Sequence, residues 1–350
     1  MTRWIGTMLG VASLTAAAMP AMAQGNGQIT VMAYGDSIFK DNYVSAVIEP
    51  FQKASGTQVQ YFANPGSAQM LGTLRSQKGD PQVDVVIMDT TTAALACAEG
   101  LVEKVTPQQL PVLNDIAQQA RDAGGECGPG VTFDNLVMIY NTENVKTAPT
   151  GFADMAVPQW RGRVGLGGPP NIQGLALTAI LAHANGGKWS DISKALPALK
   201  AIAANTQTFD PKPDAVTVVV SGQVDFTTNW NARSQLASIQ SRGRVGVVLP
   251  KEGTAFQINT INVVAGSRNA AQARAFMAYA LGTEAQKAFT ERVFYGPTNT
   301  KAQIAPEALN RTAMAPQYRD SIVNIDWAEM QKLRDSWNQR WRREVVTAAP

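Results

Sequence analysis

The residues of this chain best suited to chemistry are grouped between Asp225 and Asn299. Trp230 and Arg233 share the stretch DFTTNWNARSQ. After a Pro/Gly turn at Pro250–Gly253 come Gln257, Asn259 and Asn262, polar residues set among apolar ones, and Tyr295 follows in FYGPTN. Their chemistry is recognition rather than bond-making. An amide both donates and accepts, and suits hydroxyl, carbonyl or amide groups. A guanidinium matches a carboxylate, phosphonate or sulfonate in bidentate geometry. An aromatic beside them supplies the wall that a small-molecule cleft needs. The alternating pattern over Gln257, Asn259 and Asn262 predicts a half-buried strand with one polar face.

Catalytic alternatives are few. The single histidine, His183, sits near the end of the apolar run LTAILAHANGG, where a capping or surface role is expected. Its isolation removes Ser-His-Asp triads, most zinc sites and histidine general-base schemes. A periplasmic hydrolase, the rival reading, would have to use Asp36 with Ser37 or Asp89 with Thr90, and neither pair lies in a recognisable motif.

The elements that must position these residues read as an α/β succession. Strands are predicted over 28–33, 57–62 and 83–88, with helices over 41–54, 66–78 and 91–99 between and after them. In such a layer ligands collect at the carboxyl ends of the strands. The loops 34–37, 64–67 and 89–91 should therefore face one crevice, which adds Tyr34, Asp36, Ser67, Asp89 and Thr90 to the candidates. Asp89 suits a ligand amine or a helix cap, and Ser67 suits a ligand or an N-cap. The long apolar run VTFDNLVMIY is expected to leave a first domain and enter a second; shorter strands are predicted over 216–220, 224–227 and 245–249. The chain would cross back near 252–257, giving two crossings and a hinged clamp. Near the end, Trp327, Met330, Trp337, Trp341 and Val345 share one helical stripe expected to pack into a core.

Residues 1–23 read as a secretory signal peptide: Arg3, an apolar run, and Ala21-Met22-Ala23, with cleavage after Ala23. The chain should then be periplasmic. In an exported protein the two cysteines, Cys97 and Cys127, invite a disulfide, with two unpaired thiols as the alternative. The formal charge of +3 is interspersed, which excludes a nucleic-acid stripe. The length suits two domains.

The ordered series DPQVDVVIMD, FDNLVMIYNTENV, PQWRGRVGL, NWNARSQ with VVLPKEGTAFQINTINVV, FYGPTN and RDSWNQRW resembles the periplasmic solute-binding proteins of ABC importers. The resemblance is to the extracellular solute-binding protein family 1 and in particular its polyamine (spermidine/putrescine) binders. It implies the type II periplasmic-binding-protein fold: two α/β lobes, each a mixed sheet flanked by helices. Residues 24–133 with 256–305 would form the first lobe, and 134–255 with 306–350 the second. It also implies a small solute held in the interlobe cleft by a monomer, delivery to an inner-membrane permease with its ATPase, no cofactor and no catalysis. The family's ferric-ion binders use adjacent tyrosines, and no such pair occurs here, so no metal site is expected.

The polyamine branch holds ammonium groups with carboxylates and sandwiches the alkyl chain between aromatics. Trp230 and Tyr295 match its aromatics. Its acidic segment here reads Pro170-Asn171-Ile172-Gln173, so Asn171 and Gln173 stand for acids, and its strand aromatic and acid read as Gln257 and Asn259. A buried cation needs a paired anion. The neutral replacements, with Arg233 nearby, therefore favour a zwitterionic or anionic organic solute over a polyamine.

Overall fold

The computed structural model describes residues 27–350; the leader expected over 1–23 lies outside the described residues. The described residues form nine strands: β1 (Gln28–Tyr34), β2 (Gln58–Asn64), β3 (Val85–Asp89), β4 (Gly130–Asn141), β5 (Val164–Gly165), β6 (Thr206–Thr208), β7 (Phe226–Trp230), β8 (Val245–Val248) and β9 (Phe256–Val263). They form a mixed sheet in the order β2-β1-β3-β9-β4-β7-β5-β6, with β8 also on β4. Helices flank it on both sides. Alternate residues of β1 and β3 enter two different cores: Val31, Val85 and Ile87 join one, Met32, Val86 and Met88 the other. Strands buried on both faces read as continuous apolar runs for this reason.

One element organises the two lobes. The first half of β4 pairs antiparallel with β9, and its second half pairs antiparallel with β7 and β8. Phe133 packs in the first large core and stacks on Phe256, whereas Leu136 and Met138 belong to the second. The second crossing runs from β8 into β9, through the turn at Pro250–Gly253. The C-terminal tail then reaches the second core. Trp327, Met330, Trp337, Trp341 and Val345 are buried there, as their spacing predicts. The indoles are anchored: Trp327 Nε1 donates to the Phe256 carbonyl and Trp341 Nε1 to Thr178 Oγ1, both at 2.9 Å.

Three expectations are corrected. The valine-rich segment at 216–220 is a helix (Ala215–Val220), not a strand; Asp214 caps it by accepting from Thr217 N, and Val218 and Val219 pack against Val137 and Ile139. The strand preference of valine is weak enough for a cap and one buried face to override it. The first helix begins at Ser37 rather than Asp41, because Asp36 accepts from Phe39 N, and it continues through a π turn to Ser55, where Gly56 closes it with φ of 74°. Strand β9 is central rather than half-exposed: every residue but Gln257 is buried, and Asn262 lies on the face opposite Gln257 and Asn259.

Cys97, in the last turn of the helix Thr90–Ala98, is bonded to Cys127, with Cα atoms 6.0 Å apart and a sequence separation of 30. Closing a loop of that length stabilises by about 3.6 kcal/mol in the chain-entropy model. Reduction, or the Cys97→Ser/Cys127→Ser pair, is expected to lower the thermal midpoint by several degrees. An unchanged midpoint after verified reduction would refute this.

Candidate ligand-binding site

The crossing of β4 fixes where a site can lie. Strands β3 and β4 run the same way, since both are antiparallel to β9, so β4 leaves the first sheet past the carboxyl ends of its parallel strands. Strand β7 runs back along β4 and ends at Trp230, opposite Leu136. The carboxyl ends of β1, β2 and β3 thus face those of β5, β6 and β7 across Phe133–Asn135. In open α/β sheets this is where ligands collect.

Register then names the residues. Side chains of directly paired residues share a face, and alternate residues of a strand do too. Asp89, Asn259 and Thr132 form one rung, Gln257 and Asp134 the next, Trp230 and Leu136 the next. A single face therefore carries four of the sequence candidates and, with them, Asp134.

A directed chain of hydrogen bonds crosses the first-lobe end of this face. Tyr34 donates its one hydroxyl hydrogen to Asn259 Oδ1 at 3.0 Å, so Ser67 Oγ donates to Tyr34 at 2.9 Å and itself accepts from Asp89 N at 3.0 Å. Asn259 Nδ2 donates to Thr132 Oγ1 at 3.0 Å. With 4% of its surface exposed, Asn259 orients Tyr34 more than it meets solvent. Burial, and then the Asp89 carboxylate, push the Tyr34 phenol well above its usual pKa.

Several candidates are already engaged elsewhere. Asp89 caps its helix, accepting from Thr92 N and Thr92 Oγ1 at 2.9 Å each. Thr90 donates to the Ile258 carbonyl. Asn171, exposed, caps the helix Ile172–Ala184 through Gln173 N, and Gln173 accepts from Thr228 Oγ1 at 3.3 Å on the second-lobe side. Ser67 is the first residue of the helix Ser67–Ser76 rather than its cap, a place held by Gly66. His183 is exposed in the last turn of its helix.

Other groups remain free. Among the described residues, the Trp230 indole N–H, the Tyr295 hydroxyl and the Gln257 amide make no protein hydrogen bond, and none is sealed from solvent. The Tyr295 ring is fixed by stacking on Phe289 and by an edge contact with Phe39. Arg233, on the helix Asn231–Gln240, donates to Asp36 Oδ2 at 3.0 Å, with 40% and 31% of the two side chains exposed. No group of three or more potential metal-ligating His, Cys, Asp or Glu side chains occurs among the described residues.

The residue that sequence reasoning missed is Asp134. It is 4% exposed, and its Oδ1 accepts from Asn135 N at 2.9 Å and from Ala232 N at 3.1 Å. Burial pushes its carboxyl up to about 7, against the pull of those backbone N–H groups and of the Arg233 guanidinium. The signal was present in the sequence: an acid in the middle of the apolar run VTFDNLVMIY.

The sequence profile of bacterial extracellular solute-binding proteins matches residues 46–316. The chain belongs to this family. It is 28% identical to a gamma-aminobutyric acid-binding protein of Pseudomonas aeruginosa, over 94% of this chain and 96% of that one. It is 22% identical to the spermidine/putrescine-binding periplasmic protein of Escherichia coli, over 93% of this chain and 94% of that one. The fold matches an ABC transporter substrate-binding protein from Bradyrhizobium japonicum with a TM-score of 0.76 and 20% identity, over 91% of this chain and 99% of that one. The chain is accordingly an extracellular solute-binding protein, a transport component rather than an enzyme. No helix among the described residues is long and apolar enough to cross a membrane.

A buried carboxyl raised to about 7 binds its proton in the folded chain where the unfolded chain, near the usual 3.8, has released it. Its contribution to stability is full below the unfolded value and is lost as pH rises to about 7, at up to about 1.4 kcal/mol per pH unit. Asp134→Asn removes that dependence and keeps an oxygen for the two backbone donors. Urea unfolding at pH 5 and pH 8 should show a smaller loss in the variant than in the wild type; equal losses would contradict the assignment.

Proposed function

We propose that this protein captures a small zwitterionic amino carboxylate, of the size of 4-aminobutyrate, between its lobes. The observation that carries the reading is the charge make-up around the crossing: the cation Arg233 is paired with Asp36 and close enough to Asp134 to feel its charge, while Asp89 lies one rung away beside Asn259. A ligand with a carboxylate at one end and an ammonium at the other answers both signs. Arg233 takes the carboxylate in bidentate fashion. Trp230 and Tyr295 wall the short alkyl segment and, with Gln257, offer their free polar atoms to it. Tyr34, held by Ser67 and Asn259, forms the first-lobe floor, with Asp89 and Thr90 at its edge; Asn171 and Gln173 border the second-lobe side. The relative from Pseudomonas aeruginosa, which binds gamma-aminobutyric acid, supports the class of solute. A polyamine fits less well, since it needs several unpaired carboxylates, while Asp89 caps a helix and Asp36 is paired with Arg233.

The lobes are 24–133 with 256–305 and 134–255 with 306–350, the first beginning after a leader removed behind Ala23. Ligand bridging them favours the closed state because that state alone makes contacts from both sides. The closed monomer then presents the solute to a dedicated inner-membrane permease with its ATPase.

Thermal-shift measurements on the mature protein with 4-aminobutyrate, α-amino acids, organic acids, putrescine and spermidine test this, because a bound ligand stabilises by mass action. Amino carboxylates should raise the midpoint and polyamines should not. Arg233→Ala should weaken the best amino carboxylate at least tenfold. A shift with spermidine alone, or full affinity in Arg233→Ala, would overturn the reading.

A further inference from the structure

The acids of the cleft are not equivalent. Asp36 is paired with Arg233, and Asp89 has both oxygens on Thr92. Asp134 differs in three ways. Its Oδ1 serves two backbone N–H groups and the Asn231 N–H also lies close to the carboxyl, whereas no side chain among the described residues donates to its Oδ2. Its carboxyl is buried, yet Oδ2 is not among the side-chain atoms sealed from solvent. And it stands beside Gln257, on the face that carries Trp230 and Asn259, at the point where the chain passes between the lobes. The charged and titratable groups facing it are Arg233 from the helix Asn231–Gln240, whose hydrogen bond goes to Asp36 instead, and Tyr295 from the segment after the helix Thr283–Val293. Tyr295 is held protonated by burial and by the Asp134 charge, so it enters as a neutral donor.

We propose that Asp134 is the carboxylate that receives the ammonium end of the solute. This rests on the zwitterion reading above and goes beyond it by naming the group and its consequence. An unpaired carboxylate is costly to bury, and an ammonium on Oδ2 removes that cost. With a pKa of about 7 the empty site holds mostly the neutral acid at pH 6. Binding then exchanges one charge for another: the carboxylic acid loses its proton to the buffer as the ammonium arrives, and the ion pair Asp134 carboxylate–ammonium remains. Solute capture is thereby coupled to proton release in mildly acidic surroundings and uncoupled from it in alkaline ones. Because the proton must leave, affinity rises with pH, roughly tenfold between pH 6 and pH 8.5, and levels off there.

Isothermal titration calorimetry of the mature protein with 4-aminobutyrate tests this, run in buffers of different ionisation enthalpy. The slope of observed heat against buffer enthalpy counts protons. About one proton per ligand should be released at pH 6, and close to none at pH 8.5. Asp134→Asn, which preserves the acceptor for Ala232 N and Asn135 N, should abolish the release and weaken binding at pH 8.5 more than tenfold. Asp80→Asn, at an exposed residue before the amino end of β3 and so at the far end of the strands from the cleft, should leave both within about twofold. Binding with no proton release at pH 6 overturns the assignment and leaves the zwitterion reading standing. So does an Asp134→Asn variant whose affinity and proton release match the wild type. If neither 4-aminobutyrate nor any α-amino acid binds, the zwitterion reading falls and the assignment with it.

Discussion

Everything about this site follows from one strand belonging to two sheets. Strand β4 pairs with β9 for its first half and with β7 and β8 for its second. Backbone hydrogen bonds on both edges fix its path, so the residues between the halves cannot choose their exposure freely. Phe133 must face the first core and Leu136 the second. Asp134, between them in the alternation, is left on the rung facing Gln257, where the two sets of strand ends meet. A hinge built this way keeps its register when the lobes move, because a one-residue slip would turn every core residue of β4 outward.

The same constraint sorts the polar groups into those that shape the cleft and those that are available to a ligand. The chain from Asp89 N through Ser67 and Tyr34 to Asn259 and Thr132 joins five elements of the first lobe. Buried polar networks of this kind fix geometry when every member is satisfied. Their members are poorly placed to rearrange for a solute. The polar atoms without a protein partner lie instead at the crossing, in Trp230, Gln257 and Asp134, with Arg233 on the second-lobe side and Tyr295 on the first.

Much of the fold was legible because its signals are local. The apolar runs of β1, β3 and β4, the helix-ending Gly56, and the tryptophan stripe of the tail each announce themselves within a short window. The helix at Ala215–Val220 was not legible, because its cap at Asp214 and its packing on Val137 outweigh a valine run that favours strand. The site was legible in part. Trp230, Arg233, Gln257 and Tyr295 stand out by residue type, but the roles of Asn259 and Asn262 depend on which face of β9 each occupies and on whether that face is covered. That is a property of strand order, which a single sequence does not state. Asp134 went unread because an acid in an apolar run looks like an interruption until the partner strand shows that it shares a face with Gln257, Asn259 and Trp230.

The two acid–base relationships in the cleft differ in what they ask of a ligand. Asp36 and Arg233 are well exposed, so their ion pair contributes at most about 1 kcal/mol, and a solute carboxylate can share or replace Asp36 at small cost. Asp134 is buried, so its charge is expensive without a partner and an ammonium placed against it would be correspondingly hard to substitute. Discrimination should therefore reside at the ammonium end. Solutes lacking an amine leave Asp134 as a neutral acid, which costs them an ion pair but no buried charge. Solutes with two amines bring a second cation to a cleft whose other carboxylates are engaged in a cap and in an ion pair. A single amine at one end and a single carboxylate at the other is the pattern that leaves no buried charge unanswered.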